Sequence, residues 1–344
     1  MSSRDTDWDG VRLHVVTGKG GTGKTTVAGA LALALATGGK KVLLMEVEGR
    51  QGIAQLFDVP PLPYAERRIA VAPGSPAGQG AQGGQGGDVF ALVADPESAL
   101  VEYLELFYSL RHAGTAMAKL GVMDFATTIA PGLRDVLLTG KAAEAVRRKD
   151  ARRSGGRSYD AVVMDAPPTG RIGRFLNVTA EVSGLAKVGP IRGHADTVQN
   201  VIRSPQTVVH FVTVLEEMPV QETLDGIAEL RELDGIRPGA IIVNMARPLA
   251  LGREQLAAAA AGSLDVTQLA LGLKAAGLDD VAGLADGLAT ELSEQARTAL
   301  GQDVLLARLA ESGQQRYELP WISDGMDLAG LYRLAAALRA QRAA

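Results

Sequence analysis

The sequence contains no cysteine in 344 residues. That single absence excludes disulfides, thiolate zinc sites, iron–sulfur clusters and cysteine nucleophiles. Aromatic residues are scarce at 4%, and no uninterrupted apolar run approaches the roughly 18 residues that would suggest a membrane span. Neither charge dominates: 35 Lys and Arg stand against 39 Asp and Glu, a formal net charge of -4, so the whole chain carries no electrostatic footprint for nucleic acid. The opening residues MSSRDTDWDG are polar and acidic, without the apolar core of a signal peptide, and the reading is of a cytoplasmic protein. The four histidines, His14, His112, His194 and His210, have no metal-ligand spacing. His14 and His210 alternate with apolar neighbours and read as ordinary sheet residues.

What is present is the composition of a folded protein: 47% hydrophobic and 22% charged residues, at a length that fits about two domains or one large α/β domain. The chain opens with a short β-rich run at 11–17, a glycine-rich segment from Gly18, an Ala/Leu-rich helix over 27–37 that stops at Gly38-Gly39, and a second apolar run at 41–47. Strand, loop, helix, strand is a βαβ unit with a parallel pair. Further runs at 161–165, 207–214 and 240–244 read as strands buried on both faces, separated by helical patterns such as 221–233. The expected fold is an α/β, doubly wound, mostly parallel sheet flanked by helices, with residues 1–344 forming one domain. Within it, 73–87 (PGSPAGQGAQGGQGG) has the composition of a flexible loop, and 251–312, rich in Ala, Leu and Gly, reads as a helical insertion. The basic stretch 147–157 fits either a solvated helix end or a docking patch for an acidic partner or membrane surface.

Gly18-Lys19-Gly20-Gly21-Thr22-Gly23-Lys24-Thr25 fits G-x-x-x-x-G-K-[ST], placed as that motif requires between a strand and a helix. Its glycines allow successive backbone N–H groups, through Thr26, to curl around a phosphate. Lys24 supplies a cation to the β- and γ-phosphates, and the Thr25 hydroxyl is a Mg²⁺ ligand. Asp165 ends a buried strand, where a carboxylate holds the hydration shell of that Mg²⁺. Mg-ATP or Mg-ADP is therefore the expected ligand.

The K-G-G-T-G-K-T-T form of the loop, with the extra Lys19, resembles the deviant phosphate loop shared by the nitrogenase iron protein, the partition and septum-positioning ATPases, and the arsenical pump-driving and tail-anchored-protein targeting ATPases. Asp165-Ala166-Pro167-Pro168-Thr169-Gly170 resembles the D-T-A-P-T-G-H switch II of the last two groups. The resemblance implies a P-loop ATPase in which Lys19 reaches across a dimer interface and Asp165, Pro168, Thr169 and Gly170 sense the nucleotide. It also places Asn244 and Pro320 against the adenine ring, and aligns Glu48 with the carboxylate that positions the attacking water. At that last position the chain departs from the family: Val47-Glu48-Gly49-Arg50-Gln51 stands where the pattern has T-D-P-A-H. A longer carboxylate and a missing histidine make slow hydrolysis an expectation.

The missing cysteines remove the arsenite site, the zinc clip and the cluster of those relatives. The resemblance implies a homodimer, or a heterodimer with a paralogue, that couples ATP hydrolysis to gripping and releasing a client protein, membrane-associated clients included. Two other classes stay open: a nucleotide-dependent scaffold with little turnover, and a phosphotransferase acting on a small molecule. The apolar helical pattern at 100–123 fits core packing or a client groove. That at 328–342 fits docking on the fold or a membrane-binding helix.

Overall fold

Short runs of Val, Ile, Leu and Ala become strands covered on both faces. The computed structural model describes residues 7–74, 86–108, 132–150, 156–185, 190–247, 251–279, 281–323 and 325–344. Within them the strands are β1 (Leu13–Gly18), β2 (Lys41–Glu46), β3 (Arg67–Val71), β4 (Asp88–Val93), β5 (Ala161–Asp165), β6 (Thr207–Thr213), β7 (Pro238–Ala246) and β8 (Arg316–Pro320). They form one sheet in the order β3-β4-β2-β5-β1-β6-β7-β8. Every neighbouring pair is parallel except β3–β4, which gives the P-loop α/β fold expected from the strand–loop–helix–strand opening.

The helices are α1 (Lys24–Ala36), α2 (Gly52–Leu56), α3 (Pro96–Tyr108), α4 (Leu133–Arg147), α5 (Thr169–Leu185), α6 (Pro190–Ile202), α7 (Glu217–Glu232), α8 (Arg253–Ala260), α9 (Val266–Ala275), α10 (Val281–Glu311) and α11 (Leu328–Ala340). They divide the core into two layers, and the period-2 alternation of the strands decides which residue faces which. Leu13, Val15, Leu43, Met45, Val162 and Met164 pack on one side. Val16, Val42, Leu44, Ala161 and Val163 pack on the other, with α1 and α11. Helix α1 is buried on nearly all sides because it lies between the sheet and α11, whose Leu331, Leu334 and Leu338 are fully buried against it. The apolar face of that C-terminal helix is thus spent on the core.

Several boundaries differ from the expectations. Helix α1 begins at Lys24 and not Val27, since the loop turns directly into a helix once Gly23 takes a left-handed φ of 84°. β7 is longer than 240–244, running from Pro238 to Ala246. β3 and β4 were not expected from the sequence. β3 is an edge strand whose Arg67 and Arg68 are exposed, so it lacks an apolar run, and charge on an edge discourages further pairing. Most of the Gly/Gln-rich stretch at 73–87 (75–85) and most of 100–123 (109–123, with His112) lie outside the described residues, as do 151–155 of the basic stretch and the side chain of His194. Arg148 of that stretch is held by Glu66 and packs over Tyr159. Between β7 and β8 the chain runs through α8, α9 and α10, and Leu305 and Leu309 of α10 join the core.

At the lower, N-terminal end of β1 two buried histidines bond to each other, while His14 Nε2 is buried without a partner among the described residues. His14 Nδ1 lies 3.1 Å from His210 Nε2, and the Ala240 N–H donates to His210 Nδ1 at 3.2 Å. That fixes the tautomers: His210 Nε2–H donates to His14. Burial holds both rings neutral, pushing His14 down to about 3 with Arg237 and Lys40 adding to the effect, and lowering His210 as well. Trp8 meets His210 edge-on at 5.0 Å. Its Nε1 donates to Tyr317 Oη at 3.0 Å, and Tyr317 donates to Asp7 at 2.7 Å. The Asp7 N–H donates to Arg342 O at 3.0 Å, so the two ends of the described chain meet below the sheet.

Candidate functional site

The C-terminal ends of the parallel strands converge on one cleft of about 400 Å³, lined by Gly20, Gly21, Gly23, Lys24, Thr25, Glu46, Glu48, Arg50, Gly52, Gln55 and Asp165. The loop after β1 forms its floor. Gly18 has a φ of 157°, and a Cβ there would lie 2.2 Å from the Val212 carbonyl of β6. Gly23 precedes α1 without any side-chain cap, and a Cβ there would meet Asn244 Nδ2 at 2.4 Å. The first N–H groups of α1 are therefore left to a ligand in the cleft, where the helix dipole favours an anion. Thr22 closes the loop on itself, its hydroxyl donating to Lys19 O at 2.8 Å.

Switch II is joined to the loop by two bonds. Thr17 Oγ1 donates to Pro167 O at 2.7 Å, and Thr25 Oγ1 donates to Asp165 Oδ2 at 2.6 Å. Pro168 is half-buried, Thr169 is buried at the start of α5, and Gly170 is exposed. Burial pushes the Asp165 carboxyl up to about 6, against the lowering effects of Thr25 and Lys24, and the nearby Glu46 and Glu48 push it further up. Glu48 faces the same cleft and has Arg50 at 3.7 Å. Thr26 follows in the first turn of α1.

Three expected site residues stand away from this cleft. Asn244 sits behind the loop, its Nδ2 donating to Thr22 O at 2.9 Å, so in this structure its amide braces the phosphate loop. Lys19 turns to α7, where its Nζ meets Glu222 Oε1 at 2.8 Å. Pro320 ends β8, exposed, next to Trp321, which donates its N–H to Ala246 O and stacks under Arg247 at 3.9 Å. One residue of the cleft was not singled out from the sequence at all: Glu46, the last residue of β2, 2% exposed. Its signal was available, since a carboxylate ending an apolar strand is what marked Asp165.

The oxygen-rich set of Thr25 Oγ1 and Asp165 fits a hard cation such as Mg²⁺. Asp165 Oδ1 is buried without a hydrogen-bond partner among the described residues, as an oxygen awaiting a ligand would be. No group of three or more His, Asp or Glu among the described residues could hold a metal alone, so a cation here needs the oxygens of a bound phosphate as well. No helix among the described residues is long and apolar enough to cross a membrane.

The model of the family described as anion-transporting ATPase matches residues 11–194, from the strand before the phosphate loop past switch II. The chain belongs to the anion-transporting ATPase family. Within it, the chain is 51% identical over 332 residues to ATPase BagA of Mycobacterium tuberculosis, covering 96% of this chain and 94% of that protein. It is 25% identical to the arsenical pump-driving ATPase of Acidiphilium multivorum over 71% of this chain and 41% of that one. To ATPase get3 of Schizosaccharomyces japonicus it is 26% identical over 51% of this chain and 49% of that protein. Membership makes nucleotide binding by an ATPase domain the family-level activity of this site.

Proposed function

We propose that the chain is a Mg²⁺-dependent ATPase that works as a dimer, of identical chains or with a paralogue, and couples its nucleotide state to binding of a client protein in the cytoplasm. The observation that carries the reading is the convergence of an uncapped α1, Lys24, Thr25, Asp165 and Glu48 on one cleft. The loop N–H groups and Lys24 bind the phosphates, and Asp165 orients Thr25. Thr25 and Asp165 would hold a Mg²⁺ ion, which would supply neutralising charge to the phosphates. Glu48 orients the attacking water, and Pro320 with the β7–β8 ends borders the adenine. Asn244 serves by shaping the loop. Lys19, 31% exposed and not engaged with its own loop's cleft, is available to a partner's nucleotide after leaving Glu222. The chain has no cysteine, so the reading includes no arsenite or zinc site, and it assigns no role to nucleic acid.

Pairing of Glu48 with Arg50 favours a second reading, a nucleotide-dependent scaffold with slow turnover, because an arginine on the water-positioning carboxylate competes with the water. Calorimetric titration with Mg-ADP tests the first step. Lys24→Ala should weaken binding by at least about 100-fold, the loss of charge-assisted bonds to phosphate worth about 1.5–3 kcal/mol each. Unchanged affinity would remove the loop from the site. Steady-state phosphate release by the wild-type protein then separates the ATPase from the scaffold.

A further inference from the structure

Glu46 is the most buried carboxylate lining the cleft, and the proposed roles leave it unused. It follows Leu44 by two residues on β2, as Asp165 follows Val163 on β5, and Leu44 and Val163 both face the α1 layer. Alternation therefore turns both carboxylates to that layer, and the strands pair Glu46 directly with Asp165. The two oxygens of Glu46 differ. Oε2 accepts the Ile53 N–H of α2 at 3.1 Å, while Oε1 is buried with no partner among the described residues, as is Asp165 Oδ1. A Cβ on Gly52 would lie 3.3 Å from Thr25 Cγ2 and 4.0 Å from Glu46 Oε2, so the start of α2, Thr25 and Glu46 meet at one point. Adjacent buried carboxylates with a free oxygen each are costly unless a cation or donor arrives between them. The cleft lining carries two cations, Lys24, which is half-buried, and Arg50, which is largely exposed and sits on Glu48.

We infer that Glu46 is a second carboxylate of the metal shell. Oε1 faces the hydrated divalent cation beside Asp165 and Thr25, and Oε2 ties that cation to the first turn of α2, so that metal occupancy is felt by the segment carrying Glu48. The inference rests on the Mg-nucleotide reading above. Glu46→Gln is the discriminating variant because its amide oxygen still accepts from Ile53, while the –NH₂ that replaces the free oxygen cannot serve a cation. ADP affinity is measured by calorimetry with Mg²⁺ and with EDTA. In the variant, the gain in affinity that Mg²⁺ confers should fall between about 10- and 100-fold, the usual consequence of losing a shell partner. ADP affinity in EDTA should hold or tighten, and the ligand-free melting temperature should hold or rise, because an unpaired charge has left the interior. Hydrogen exchange at 52–56 should be slowed by Mg-ADP beyond ADP alone in the wild type only. If the variant does not fold, Glu46→Asp, which shortens the reach, reads the same gain. An equal Mg²⁺ gain in variant and wild type overturns the role of Glu46 and leaves the phosphate-loop reading standing. Failure of wild-type protein to bind ADP under either condition overturns both.

Discussion

At the start of β1, His14 and His210 are completely buried, neutral and bonded to each other and to the Ala240 backbone. Beyond its other end, Glu46 and Asp165 are almost as buried, yet each keeps one oxygen without a partner among the described residues. Both pairs lie on neighbouring strands of one sheet, so burial alone does not explain the contrast. The lower pair also leaves one atom over, His14 Nε2, buried without a partner among the described residues, but that atom belongs to a neutral ring, and one imidazole can donate to the other. The upper pair consists of acceptors only when ionised, and two acceptors cannot satisfy each other. At the mouth of an uncapped helix, such a pair gains most from positive charge or donors.

The largest effect that can break this comparison is the acid response of the lower pair. Free histidine titrates near 6.5 and His14 is held near 3, so the folded state excludes protons that the unfolded chain takes up. The stabilisation is complete above pH 6.5 and is lost progressively as the pH falls toward 3. His14 should cost about 2 kcal/mol of unfolding free energy between pH 7 and 5, and His210, lowered in the same direction, should add to it. Urea denaturation at both pH values checks this, and His14→Leu should remove one histidine's share of the slope. Identical slopes would mean the pair is not held neutral, and the contrast with the cleft would lapse.

A smaller effect sharpens the upper half. Asn244→Ala removes the bond to Thr22 O and opens space behind Gly23, and should lower ADP affinity by roughly fivefold, about 1 kcal/mol for one neutral bond. Titration calorimetry reads it, and unchanged affinity would mean that the loop holds its shape without the brace. The smallest effect concerns Lys19 and Glu222, both about a third exposed. Glu222→Gln should shift unfolding free energy by no more than about 0.5 kcal/mol, as for other solvent-screened pairs. A larger loss by chemical denaturation would make Glu222 part of the scaffold and not a resting place for Lys19.

How far the sequence can be read follows the same division. The phosphate loop and Asp165 were legible because their chemistry is carried by consecutive residues at strand ends, where spacing alone places them. β3 was not, since an edge strand with two exposed arginines has no apolar period to detect. Glu46 carried a readable signal, a carboxylate ending an apolar strand, but its place beside Asp165 comes only from the register with β5. Asn244 was recognisable as a strand-end residue, but its contact with Thr22 spans 222 positions and depends on which strand lies behind the loop. Lys19 illustrates a third limit. Its partner Glu222 sits on a helix whose existence was expected, but a sequence cannot say which turn of α7 faces the loop.

The bond between Asp7 and Arg342 gives the molecule a property that no catalytic argument touches. Residues 7 and 342 lie side by side beneath the sheet, with only a short gap between them on the face opposite the cleft. A linker of a few residues across it would permit circular permutation, with new ends cut at a surface turn such as Gly262 or Gly313 and every strand end around the phosphate loop left in place. The same geometry makes this lower face the natural point of attachment for immobilising the protein or fusing two copies in tandem, since a tether there leaves the nucleotide mouth unobstructed.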